Sequence, residues 1–122
     1  MRDPETIVRD FCAAWTRRDI PELLGYFADD AVYHNMPLAP ATGKDAIQEI
    51  LNLFVPPATT IVFEMLHVAS AGSVVFTERV DRFVIGDKEI ALPVAGVFEI
   101  RDGKIAAWRD YFDFATWQRQ SE

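Results

Sequence analysis

The stretch KEIALPVAGVFEI, Lys88 to Ile100, decides the fold. Apolar residues recur at every second position, so Ile90, Leu92, Val94, Gly96, Phe98 and Ile100 share one face of an extended chain. A row of that length covers a core on one side only. Gly96 in its middle predicts a bend or a bulge.

Three further runs with the same period flank it: IVFEMLHVAS from Ile61, SVVFTERVDRFVI from Ser73, and KIAAWRDYFDF from Lys104. AGS, GD and DG separate the runs, and these are turn signals. Connections this short favour antiparallel neighbours. Before Thr60 the period is helical instead. Asp3 is a natural N-cap with Pro4 at the first helical position, and Ile7, Val8, Phe11, Ala14 and Trp15 form one apolar stripe. Asp19, Pro21 and Glu22 repeat the start signal. They predict a short second helix carrying Leu23, Leu24 and Phe27 and giving way at FADD. AVYHNMP reads as a brief strand stopped by Pro37, and LAPATG as irregular. A third helix from about Lys44 turns Ala46, Ile47, Ile50, Leu51 and Phe54 inward and ends at Pro56-Pro57. ATWQRQSE closes the chain as a helical turn.

The fold class is therefore α+β. Three N-terminal helices pack on the concave face of a cone-shaped, curved, mixed or antiparallel sheet. A cone has a mouth, and a mouth supplies a small-molecule pocket. The 122 residues fit one domain, 1–122, with half of them apolar. A net charge of −7 without any Lys/Arg-rich run leaves no footprint for nucleic acid or an anionic membrane. The single cysteine, Cys12, lies in an apolar helical pattern and reads as a buried structural thiol. One cysteine permits no disulfide within the chain, and MRDPET has no apolar stretch of signal-peptide type, so the cytoplasm is the expected location.

Several polar residues break this pattern. In AAWRDYFDF, Trp108, Asp110, Phe112 and Phe114 fall on one face, a carboxylate within the aromatic row that should be buried. A buried carboxylate is normally paired or put to use. Arg79 and Asp81 point the same way as Val75, Thr77 and Phe83, but Val74, Phe76, Val80 and Val84 form an apolar row opposite. Parity leaves open which of those faces is the inner one. Tyr33 and Asn35 likewise share a face. His34 and His67 have no metal-ligand spacing and read as structural or surface residues, so no metal site is expected. Glu64 and Glu78 read as outward partners in the sheet.

As a set, YHNMP, ERVD and WRDYFD resemble the limonene-1,2-epoxide hydrolase family in order and spacing. FADDAVY, GVFEI and DGKI are similar too, so the resemblance covers nearly the whole chain. It implies a cone of the nuclear-transport-factor-2 or SnoaL type that dimerises through its sheet and needs no cofactor. It also implies site roles: Asp110 as general base, Asp81 as general acid, and Arg79 between them. Tyr33 and Asn35 would hold the attacking water together with Asp110. Parity and resemblance together place Trp15, Phe54, Phe63 and Phe83 around a neutral, lipophilic epoxide. Leu92, Val94, Phe112 and Trp117 complete that wall. Ala58-Thr59-Thr60, small and polar where a lid would be greasier, is expected to reshape the entrance. Two other readings compete on the same cone. One is an isomerase or polyketide cyclase that uses a single acid against a stabilised enolate. The other is a binding or dimerisation module without catalysis.

Overall fold

Two short-range signals start the helical half of the computed structural model, which describes residues 2–122. The Asp3 carboxylate accepts from the Thr6 backbone N–H at 2.9 Å, capping helix α1, Pro4–Ala14. Asp19 does the same for the Glu22 amide at 3.1 Å and starts α2, Ile20–Leu24. A 3₁₀ turn, Trp15–Arg17, joins the two. Helix α2 is shorter than expected. It stops at Gly25, whose N–H returns to the Pro21 and Glu22 carbonyls. Phe27 is therefore not helical but the first residue of strand β1, Phe27–Asn35, where it pairs with Ile105. Pairing with a distant strand overrides the local signal.

Strand β2 (Ala41–Thr42) falls within LAPATG and pairs with β1. Helix α3, Lys44–Phe54, buries Ile47 and Leu51 and leaves Ala46 and Ile50 partly covered. The four period-two runs become β3 (Ala58–Ala71), β4 (Val74–Ile85), β5 (Lys88–Arg101) and β6 (Lys104–Tyr111). Asp102 and Gly103 both take positive φ, 52° and 76°, in the β5–β6 hairpin, the geometry that a tight two-residue turn demands. A final helix, α4 (Phe114–Ser121), is a complete two-turn element capped by Asp113 rather than a single turn. Among the described residues there are thus four α-helices where three and a turn were expected.

The six strands form one sheet in the order β2-β1-β6-β5-β4-β3. Its hairpins are antiparallel, but β1 runs parallel to β6, so the sheet is mixed. Gly96 sits in unbroken register on both sides, opposite Thr77 and Asp110. The irregularity in β5 lies instead between Glu99 and Ile100, so Gly96 marks no bulge. Ala58-Thr59-Thr60 opens β3, with Ala58 buried and both threonines exposed.

The core lies between α1 and the inner sheet face. Phe11 meets Trp15, Phe27, Phe98 and Trp108 edge-on, with ring centroids 5.0–6.1 Å apart. Each such ring contributes roughly 1.5–3 kcal/mol by leaving water. Among the described residues, no helix is long and apolar enough to cross a membrane.

Candidate active site

Packing against α1 decides which face of β4 is the inner one. Val75, Thr77, Arg79, Asp81 and Phe83 are buried, whereas Phe76 in the opposite row stands 45% exposed. An arginine and an aspartate thus occupy core positions, and Asp110 on β6 joins them.

Arg79 has no exposed surface, and its five N–H donors are all taken. Nε donates to Asp81 Oδ1 at 2.9 Å and Nη2 to Asp81 Oδ2 at 2.8 Å. The other Nη2 hydrogen goes to Asp110 Oδ2 at 2.9 Å. Nη1 divides between Asp110 Oδ1 at 3.2 Å and Thr77 Oγ1 at 3.0 Å. Each carboxylate therefore receives a two-pronged clamp, the strongest geometry available to this pair. The Phe63 ring lies 5.1 Å from the guanidinium carbon, with Trp108 and Phe98 near 6 Å, so the remaining surroundings are aromatic.

The sheet makes this clamp possible through an absence. Arg79 on β4 must reach Asp110 on β6 across β5, and the residue at the crossing is Gly96. A Cβ there would collide with Arg79 Nη1 and lie 2.7 Å from Asp110 Oδ1 and 2.8 Å from Thr77 Oγ1.

Asp110 receives a further donor, the Trp108 indole Nε1–H, 2.6 Å from Oδ1. The same indole stacks on Tyr33, with centroids 4.2 Å apart and planes 7° from parallel. Asn35 stands beside Asp110 in the β1–β6 ladder, and its Oδ1 accepts from the Tyr33 hydroxyl at 3.2 Å. That bond fixes the amide without using its N–H donors.

Burial and charge set the ionisation. Burial alone would push Arg79 down, but the two carboxylates outweigh it and hold the guanidinium well above its usual value. Burial pushes the Asp81 carboxyl up to about 6; Arg79 opposes the rise and the Asp110 charge adds to it. Tyr33 is raised by burial and by the Asp110 charge, so its hydroxyl stays protonated. Burial also drives the Cys12 thiol up to about 12, which makes it inert. Among the described residues, no group of three or more His, Cys, Asp or Glu could hold a metal ion.

Above this cluster opens an apolar hollow of about 500 Å³, counting its mouth. Tyr33, Asn35, Asp81 and Asp110 reach it, while Arg79 stays behind them. Trp15, Phe54, Phe63 and Phe83 line it, as do Leu92, Val94, Phe112 and Trp117. Trp15 Nε1 is buried without a protein partner. His67 and His34 lie outside, the first on Glu78 and the second on the Leu38 carbonyl. Glu64 pairs with Arg82 on the outer face.

Sequence reasoning missed four contributors. Leu38 lines the hollow from a loop with no periodicity to betray it. Phe114 closes the aromatic row expected of AAWRDYFDF, but β6 ends at Tyr111, so Phe112 lies beyond the strand and Phe114 lines the hollow as the first residue of α4. Thr77 and Gly96 support Arg79, and only knowledge of strand register could have linked them.

Cone-shaped α+β proteins of the SnoaL-like type share this architecture. A protein described as a SnoaL-like polyketide cyclase from Shewanella putrefaciens superposes with a TM-score of 0.85 over 99% of this chain and 97% of its own, at 18% identity, which shows the fold alone. A Catenulispora acidiphila protein with a ketosteroid isomerase-like fold, solved with trimethylamine, gives 0.84 at 26% identity over 98% and 94% of the two chains. An LEH-like epoxide hydrolase of Mycobacterium tuberculosis gives 0.83 at 29% identity over 97% and 91%. The epoxide hydrolase EphG of M. tuberculosis is 33% identical over 108 residues, 87% of this chain and 70% of that protein. The family model for the limonene-1,2-epoxide hydrolase catalytic domain matches residues 2–121. The chain belongs to that family.

Proposed function

We propose that this protein is a cofactor-independent epoxide hydrolase that adds water to a small lipophilic epoxide in one concerted step. One observation carries the reading: a single buried guanidinium clamps two carboxylates that both reach the same apolar hollow. Such a cluster holds one positive charge against two acids, so it is neutral when one acid keeps its proton. Asp81, raised to about 6, is the acid that keeps it.

In the reaction, a water lies against the Tyr33 hydroxyl, the Asn35 amide and Asp110. Asp110 takes one proton from it while the water oxygen bonds to an oxirane carbon. The carbon–oxygen bond of the ring breaks, and Asp81 delivers its proton to the departing oxygen. Each proton transfer typically contributes ~10²–10⁴-fold. Fixed donors and acceptors around the water supply orientation, and no ester intermediate forms. The cluster is neutral before and after the step, because one proton leaves Asp81 as another reaches Asp110. Exchange with solvent at the mouth resets the pair.

An enolate-forming isomerase needs an acid free to act as base opposite an oxyanion site. Two acids tied to one guanidinium favour hydrolysis over that chemistry. We read the working form as a cytoplasmic homodimer, with Val62, Phe76 and Tyr111 exposed on three strands of the outer face as the pairing surface. Incubation of the purified protein with limonene oxide, cyclohexene oxide and styrene oxide tests the activity. Diol from at least one is expected, and Asp81→Asn and Asp110→Asn should each abolish it without unfolding the chain. Failure across a broad epoxide panel would overturn the reading.

A further inference from the structure

More than half of the residues lining the hollow are aromatic, and five of those rings are linked in a chain. Trp15 stacks on Phe63 with centroids 4.7 Å apart and planes at 23°. Phe63 meets Phe83 at 68°, Phe83 meets Trp117 at 88°, and Trp117 meets Phe54 at 85°. This chain of rings borders the acid directly. Phe63 is the register partner of Asp81, and Phe83 lies two residues further along the same face of β4.

Not all of these rings are consumed by the core. Phe54, Phe112, Phe114 and Trp117 line the hollow while remaining only partly covered. Rings that meet edge to face leave a quadrupole pattern with both electron-rich faces and electropositive edges open to a further ring. A saturated ring of the same carbon count is thicker, and its edge matches neither.

We infer that the hollow selects a flat, aryl-bearing epoxide of the styrene oxide class, with the aromatic group held among Phe63, Phe83 and Trp117. The epoxide half of this statement rests on the proposed hydrolase activity, whereas the aryl half does not. Ring recognition can be measured without turnover.

The discriminating pair is 1-phenyl-1,2-ethanediol and 1-cyclohexyl-1,2-ethanediol, which differ only in hydrogenation of the ring. The cyclohexyl compound is the more lipophilic, so a pocket that reads apolar area alone binds it more tightly. Calorimetric titration of the intact protein is expected to show the phenyl diol bound about fivefold to tenfold more tightly, from two or three ring contacts. Trp117→Leu should reduce that ratio to about one or below, with circular dichroism confirming the fold. The same order is expected in kcat/KM for styrene oxide against cyclohexyloxirane. Tighter binding of the cyclohexyl diol, equal binding, or no binding of either at millimolar concentration overturns the aryl inference. A preserved phenyl preference without turnover of either epoxide would instead overturn the hydrolase reading and leave the aryl site standing.

Discussion

Gly96 and Asp110 face each other across the β5–β6 ladder, and the space that a side chain on Gly96 would fill is where the Arg79 guanidinium meets Asp110. A row that reads as uniformly apolar is thus interrupted at the one point where a cation must cross a strand. Gly96→Ala should therefore displace Arg79. Overpacking of this kind costs roughly 1–3 kcal/mol of stability. The larger effect falls on catalysis: kcat should drop about a hundredfold or more, because misplacing an acid–base pair by an ångström is enough. Thermal melts and steady-state kinetics on the one variant give both numbers.

Removing the cation itself has a different signature. Arg79→Leu strands two buried carboxylates, and breaking a buried ion pair from one side costs about 3–5 kcal/mol. The variant should melt far below the parent at pH 7. At pH 4, where carboxyls take up protons, much of the difference should disappear. Melting curves at the two pH values check it.

Asp81 gives both stability and rate a defined dependence on pH. Its carboxyl titrates near 6 in the folded protein against an ordinary 3.8, chiefly because it is buried. The folded chain therefore keeps a proton that the unfolded chain has released. The contribution of this group to stability is fully present below about pH 3.8, declines as pH rises, and is lost above about 6. Asp81→Asn should have a melting temperature that varies less between pH 4 and 6 than the parent's. The parent's kcat/KM should fall above about pH 6 as the proton donor ionises.

Trp108 supplies an indole donor to Asp110, the proposed base. Trp108→Phe preserves most of the stack on Tyr33 but deletes the 2.6 Å bond to Asp110 Oδ1. A hydrogen bond to a charged group is worth about 1.5–3 kcal/mol. The expected result is a loss in kcat of at least tenfold with a smaller change in KM, measured on any epoxide the parent turns over.

Local signals carried much of this architecture, and distant ones did not. Caps at Asp3 and Asp19 and the alternation in Lys88–Ile100 are short-range properties, and the structure follows them closely. The strand starting at Phe27 is different, because its pairing with Ile105 lies far along the chain and is parallel. For Arg79 and Asp81, two apolar rows compete, since Val80 and Val84 on the outer face are themselves partly covered. Only the docking of α1 separates the rows. The motif residues were legible one by one; the empty site at Gly96 that lets them meet requires the register of three strands.

The central claim is that water, and not a carboxylate of the protein, attacks the epoxide. A single turnover in ¹⁸O-water, with protein in molar excess over substrate, tests it most directly. The expected product is a diol carrying one ¹⁸O atom from that first turnover, with no label incorporated into Asp81 or Asp110. An unlabelled first-turnover diol would mean that a protein oxygen had been transferred, and would contradict the concerted mechanism outright.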